Sequence, residues 1–460
     1  MQVQILHRAF LVTTNGDKNK NDQYPRTTHA CCYYSEVLMN ILHLSDSALH
    51  PTGYANQTRN LGRTVHEAGH GFYALGHNHG GQPSRGMTLE DGEQLPFWML
   101  GTDGSKYARN VIPEFCKSYN IDAITILMDT FPLLKEDFLT WNLPAKTAFW
   151  FPSDGGWFPK LCERVLKRVD HPVAMAKFGQ DQLKRLHGMK CHYIPHGVRT
   201  DLFRPMGPAR RAEIRDKYGD GQLFAVKNNT FWPLKLDLRE KFILGCVARN
   251  QGRKNLPETI QAFCKFAENH EDVLLVMHSD PVDGASVCDL QEVADRSGQG
   301  HKIVWTGMRI ANPYTTARLA ELYNLFDAFY LTTSGEGFGI PFIEAMACEV
   351  PVIATEFTTV KEIVLDNDAG LPVKLMGEPG DPYPHEKPMN GVTIGTWEVS
   401  RALPDLYDCV AKLEWAYQNR EKLRALGKNG RAAIMREYDW NGVVGPEWMR
   451  FLKQITEEGK

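Results

Sequence analysis

Apolar runs of strand length alternate with helix-patterned segments along almost the whole chain, and this alternation limits the possible folds more than any other feature. Such runs fall at 40–44, 72–75, 97–100, 123–127, 147–151 and 192–194 in the first half. In the second half they fall at 243–248, 273–278, 302–305, 328–331, 352–354 and 370–372. Strands separated by helices pair as parallel neighbours, with the helices covering both faces of the sheet. Each half therefore specifies its own doubly wound α/β sheet, and 460 residues are more than one core comfortably serves. The stretch 206–240 is polar and charged and reads as the linker between domains at 39–205 and 241–439. Ligands of such sheets bind beyond the carboxyl ends of the strands, so two sheets face to face predict a cleft between domains.

A formal net charge of -3 gives no general attraction to nucleic acid or to an anionic membrane. No apolar run approaches the roughly 20 residues of a membrane span. Near the N-terminus His7 and Arg8 split the apolar residues and a polar run follows at 15–20, which makes a poor signal-peptide core. The first strand begins only at Met39, itself a plausible initiator, so residues 1–38 read as a poorly packed extension. Ten cysteines are scattered without framework or metal spacing, Cys31-Cys32 included. They fit reduced core residues in a cytosolic protein, with peripheral attachment to a membrane left open. Lys160, Arg164, Lys167 and Arg168 read as a solvated helix face, although an anionic acceptor would suit them too.

The densest chemistry lies in Ser334-Gly335-Glu336-Gly337-Phe338-Gly339-Ile340-Pro341-Phe342-Ile343-Glu344. An apolar strand gives way here to a helix, and Pro341 suits that helix's first turn because its missing N–H would be unpaired there anyway. Glycines let a ligand approach the backbone, and a helix start aims free N–H groups at it. Two carboxylates flanking the turn suit a ligand with hydroxyls at two places, such as a nucleotide sugar. The segment resembles the retaining glycosyltransferases of the GT-B fold, family-4 type, which carry a Glu, seven residues and a second Glu after a Gly-Phe-Gly turn. The likeness continues through 345–355, and weaker echoes run from Met39 almost to the C-terminus.

That resemblance implies a set of roles. Arg249 and Lys254, after the first strand of the second domain, would grip the diphosphate and make a metal unnecessary. Glu344, in the first helical turn, would bind the ribose, and Glu336 would hold the sugar and the developing charge at its anomeric carbon. The backbone of Gly337, Phe338 and Gly339 would touch sugar or phosphate. Gly53 would close over the donor, flanked by Thr52 and Tyr54 toward the acceptor. His196 would face the diphosphate or simply stabilise a turn. Many family members place a histidine after a mid-domain strand; here Asp154 stands nearest that place, with Asp129 as a second acceptor-side candidate. Helices at about 440–460 would cross back to the first domain. The implied activity is metal-independent transfer of a hexose, with retention, from a nucleotide diphosphate sugar to a hydroxyl of a glycan, lipid-linked or small-molecule acceptor, without a cofactor.

Other readings compete. His66-Glu67-Ala68-Gly69-His70 matches a zinc-hydrolase string, which requires both histidines on one helical face, yet Gly69 reads as a helix stop. Asp366-Asn367-Asp368 resembles a metal-binding Asp-x-Asp but fits a solvated turn. A nucleotide-sugar-binding protein without turnover, or a phosphorylase or epimerase of the same fold, would keep the donor pocket. Segment 306–310 is placed beside the nucleotide base, whose identity the sequence does not reveal.

Overall fold

The computed structural model describes residues 38–458 apart from 78, 90–91, 103–105, 157, 284–287, 310–312, 377–398 and 400. The extension up to residue 37, the Cys31-Cys32 pair and Ile310 lie outside the described residues. The first sheet contains β1 (Asn40–Asp46), β2 (Gly71–His77), β3 (Ser84–Thr88), β4 (Gln94–Leu100), β5 (Ala123–Leu127), β6 (Lys146–Phe151), β7 (His171–Ala174) and β8 (His192–Tyr193). The second contains β9 (Asp220–Lys227), β10 (Thr230–Lys235), β11 (Phe242–Val247), β12 (Val273–His278), β13 (Ile303–Trp305), β14 (Ala328–Leu331), β15 (Val352–Thr355) and β16 (Gly370–Val373). Their spatial orders are β3-β4-β2-β1-β5-β6-β7-β8 and β10-β9-β13-β12-β11-β14-β15-β16. Pairing is parallel except at β3/β4, β9/β10 and β9/β13. This is the pair of doubly wound sheets expected from the alternation, and the buried run of β11 shows why: a strand covered on both faces has no polar side to show.

The stretch 206–240 differs from the linker expected there. It forms a helix, Pro208–Gly219, and then the β9–β10 hairpin, whose turn places Asn228 and Asn229 at φ 50° and 56°. The hairpin extends the second sheet through Phe224 opposite Trp305. Its outer strand carries Pro233 and exposed side chains, tolerable only at an edge, so it lacks the apolar signature of a strand. The polar edge strand β3 escapes a pattern search for the same reason, and β7, four residues long, is too short to show a period.

In each sheet the strand order reverses beside its first parallel strand: β1 lies between β2 and β5, and β11 between β12 and β14. A crevice opens at such a reversal, beyond the carboxyl ends of the strands. The chain then returns to the first domain. Val198 N donates to Tyr438 O and Trp440 N to Val198 O, both at 2.9 Å. Helix Gly445–Glu457 packs Trp448 against Trp150 of β6, ring centroids 4.8 Å apart.

Candidate active site

At the second reversal, the loops after β11 and β14 are tied together by one carbonyl. Arg253 O accepts from Ser334 N (2.7 Å), Ser334 Oγ (2.8 Å) and Thr333 Oγ1 (3.1 Å). This lock turns both cations of the first loop onto one carboxylate of the second. Lys254 Nζ donates to Glu336 Oε1 at 2.6 Å and Arg253 Nη1 to Glu336 Oε2 at 2.9 Å. Burial alone would raise the Glu336 pKa, but Arg253 and Lys254 hold it down to about 2. Burial, and then the Arg253 charge, pull Lys254 down to about 8, which leaves it charged at neutral pH. Glu336 N donates to Thr358 Oγ1 at 3.0 Å, which fixes the turn from behind. Gly339 takes φ 100° at the entry to helix Ile340–Ala347, with proline in its first turn.

At the first reversal, the loop after β1 leads into helix Gly53–Glu67. Thr52 caps that helix by accepting from Ala55 N at 3.1 Å, and its hydroxyl donates to Asp46. Tyr54 Oη donates to Asp129 Oδ1, beyond β5, at 3.0 Å. Both side chains are half-buried. Burial, then the charge of Asp154, push Asp129 up to about 6, while burial and then Asp129 raise Tyr54 well above its ordinary range.

The two crevices meet directly. A Cβ on Gly335 would collide with Asp154 O, one on Gly337 would lie 2.5 Å from Pro152 Cβ, and one on Gly53 2.8 Å from Ile340 Cδ1. Three glycines thus let the domains approach closely enough to share the site. His196 is buried among Trp150, Phe338 and Tyr54, with ring centroids at 4.3, 5.2 and 6.0 Å. Burial lowers its pKa to about 3, so it is neutral, and neither ring nitrogen has a partner among the described residues. Asp154 is held by Arg401, whose Nη2 lies 3.0 Å from Oδ2 and whose Nη1 donates to Asp154 O. Arg253 Nε adds a longer ion pair to Asp154 at 3.7 Å.

The structure therefore gathers Lys254, Glu336, Gly337, Phe338, Gly339, Asp154, His196, Tyr54, Asp129, Thr52 and Gly53 around one interface. Arg249, on the same loop after β11, makes its direct contact with Asp283, a two-pronged pair at 2.7 and 3.1 Å, and lies within reach of the charge of Asp46 in the first domain. Its side chain is 49% exposed and Asp283's only 1%. Glu344 sits in the second turn of its helix rather than the first, and accepts from Tyr323 Oη at 2.8 Å. Two members of the network, Arg253 and Arg401, are not among the residues expected from the sequence. Arg253 adjoins Lys254, so the paired cations were its signal; Arg401 belongs to no motif.

The zinc-hydrolase string does not assemble. Helix Gly53–Glu67 ends before Gly69 (φ 83°), and His70 Nδ1 instead accepts from Met39 N, so His66 and His70 share no helical face. Among the described residues no group of His, Cys, Asp and Glu could hold a metal ion. Asp366–Asp368 is a turn in which Asn367 donates to Glu362 O and Ile363 O.

Burial raises the Glu344 pKa to about 7. The folded state keeps a proton that the unfolded state has released, so this group's contribution to stability falls as pH rises from about 4.5 to 7. The penalty reaches about 3 kcal/mol. Glu344→Gln is accordingly expected to melt higher than the parent at pH 8, by a margin that shrinks toward pH 4.5. Scanning calorimetry across that range checks it, and a margin independent of pH would refute it.

Residues 228–375 match the family model described as Glycosyl transferases group 1. A GDP-mannose-dependent alpha-(1-6)-phosphatidylinositol monomannoside mannosyltransferase from Mycobacterium tuberculosis is 27% identical over 260 residues, 55% of this chain and 53% of that protein. The chain spans about half the length of the curated relatives it matches. Sucrose-phosphate synthase from Thermosynechococcus elongatus superposes with a TM-score of 0.65 at 16% identity, covering 91% of this chain and 100% of that one. Anabaena Alr3699/HepE in complex with UDP and glucose gives 0.64 at 14%, covering 90% and 100%.

Proposed function

The chain has the GT-B fold and carries a glycosyl transferases group 1 domain, and from that premise we propose that it transfers a hexose from a nucleotide diphosphate sugar to an acceptor hydroxyl, with retention of configuration and without a metal. One observation carries the reading: Arg253 and Lys254 converge on Glu336 at the reversal of the second sheet, facing the Tyr54–Asp129 pair at the reversal of the first.

Two fixed cations against one carboxylate suit the charge that grows on a departing diphosphate, and such preorganised groups favour the transition state without reorganising. Arg249 stands on the same loop, half exposed in a pair with buried Asp283 that a diphosphate would compete for. In the proposed step the acceptor oxygen bonds to the anomeric carbon on the face the diphosphate leaves. The bond to the diphosphate oxygen breaks with its electron pair, and that oxygen takes the acceptor proton. Neutral His196, whose buried ring nitrogens have no partner among the described residues, and Asp154 would border the sugar. Close approach of the domains would keep water from the donor. The bound UDP of the Anabaena protein and the GDP-mannose dependence in the mycobacterial protein's name support a nucleotide-sugar donor and leave the base open.

A thermal-shift panel of UDP-, GDP- and ADP-sugars tests this, since only a bound nucleotide moves the folding equilibrium. One nucleotide class is expected to raise the midpoint, and the same donor, in chelator, to be slowly hydrolysed with the product's anomer retained. A shift without turnover would leave a binding protein, and no shift with any donor would sink the proposal.

A further inference from the structure

A hollow of about 970 Å³ opens at the amino-terminal edge of the second sheet, against Phe242 at the start of β11, Asp327 ahead of β14 and Pro351 ahead of β15. The residues of the candidate active site follow the opposite ends of these strands. β11 has six residues, so roughly 20 Å of sheet separates the two places.

Seven arginine and lysine side chains line this hollow against three carboxylates. Five of the cations are engaged: Arg239 pairs with Asp216, Arg420 with Asp272, Lys241 donates to Glu271 O, and the remaining two hold the wall together. Arg211 donates to Asn324 O and Phe326 O, both at 2.9 Å, and Arg215 to Leu238 O, Lys241 O and Asp327 at 2.8 to 2.9 Å. Two are uncommitted. Arg424 and Lys428, one turn apart on helix Arg420–Ala433, are exposed and make no hydrogen bond or ion pair among the described residues. Helix Pro208–Gly219 also begins on this wall, with neither a side-chain cap nor an acidic residue in its first turn, and so adds the positive end of its dipole. Like charges gathered around a concavity repel one another, and no carboxylate answers Arg424 or Lys428. A neutral solute would gain nothing from such walls; an anion with several charges would.

We infer that this hollow binds a ligand carrying two or more phosphate-type charges, presented either by a free polyphosphate or by a phosphorylated lipid headgroup. The site is separate from the cleft and independent of what the cleft transfers.

Tripolyphosphate titrated calorimetrically into the full chain is the probe. Binding is expected in the parent and in Lys254→Met, which removes a cleft cation. It is expected to weaken by roughly tenfold or more, about 1.4 kcal/mol or more, in Arg424→Glu/Lys428→Glu. Both changes in that double variant are at exposed positions, so an unaltered melting midpoint without ligand certifies its fold. Cosedimentation with phosphatidylcholine vesicles, with and without phosphatidylinositol bisphosphate, separates the sources. Capture by the phosphorylated vesicles alone assigns a headgroup, and tripolyphosphate binding alone assigns a soluble ligand. Unchanged affinity in the double variant, loss only in Lys254→Met, or no binding of either probe overturns the inference.

Discussion

Glu336→Ala is expected to lose roughly 3–5 kcal/mol of folding stability at neutral pH, because buried Lys254 and half-buried Arg253 would be left without their common carboxylate. The loss stems from stranded charge rather than from lost packing. Glu336→Gln/Lys254→Met, which removes Lys254 together with the carboxylate charge and leaves Arg253 its bond to Gly335 O and its pair with Asp154, is therefore expected to be more stable than Glu336→Ala alone, although it changes two site residues. The pH dependence has a definite sign. A carboxylate held at about 2 when folded and near 4.5 when unfolded contributes stability above 4.5 and loses it as pH falls between those values. The gap between parent and Glu336→Ala should thus be full at pH 7 and narrow toward pH 2. Urea midpoints across that range measure it; equal midpoints at pH 7 would show that the network contributes nothing.

Gly335→Ala is expected to cost on the order of 10²-fold in transfer rate with both sheets still folded. Its added methyl would run into the Asp154 carbonyl and lie 3.0 Å from an Arg401 guanidinium nitrogen. The obstacle is backbone on the opposing domain, so the domains must part, and a displacement near 1 Å at reacting groups costs about that factor. Gly80→Ala, where a Cβ meets nothing within 4 Å, is the control. Steady-state kinetics with the donor identified by the nucleotide panel reads the outcome. Parent-like turnover in Gly335→Ala would show that the close approach has no part in catalysis.

The contrast between what the sequence announces and what it conceals follows from how each residue earns its place. Buried parallel strands such as β11 and β14 are visible because burial on both faces demands an unbroken apolar run. The turn at Gly335–Gly339 is visible because close approach excludes side chains. The β9–β10 hairpin is concealed because an edge strand tolerates proline and polar residues. Arg401 is concealed because its partner, Asp154, lies 247 positions away and no local rule connects them. Arg249 and Glu344 are legible as residues but not as geometry. Their partners, Asp283 and Tyr323, come from other strand-to-helix segments, and only the packing reveals them.

Helix Gly445–Glu457 seats Trp448 against β6 and brings Thr456 Oγ1 within 3.2 Å of Met39 Sδ, just ahead of the first strand. The first domain therefore lacks part of its own core until the helix that follows the second sheet is translated. During synthesis it must wait, incompletely covered, while the whole second sheet is made and folded. A stop codon before that helix would not merely shorten the protein. It would leave the first sheet permanently unfinished, and so a target for chaperones and proteases.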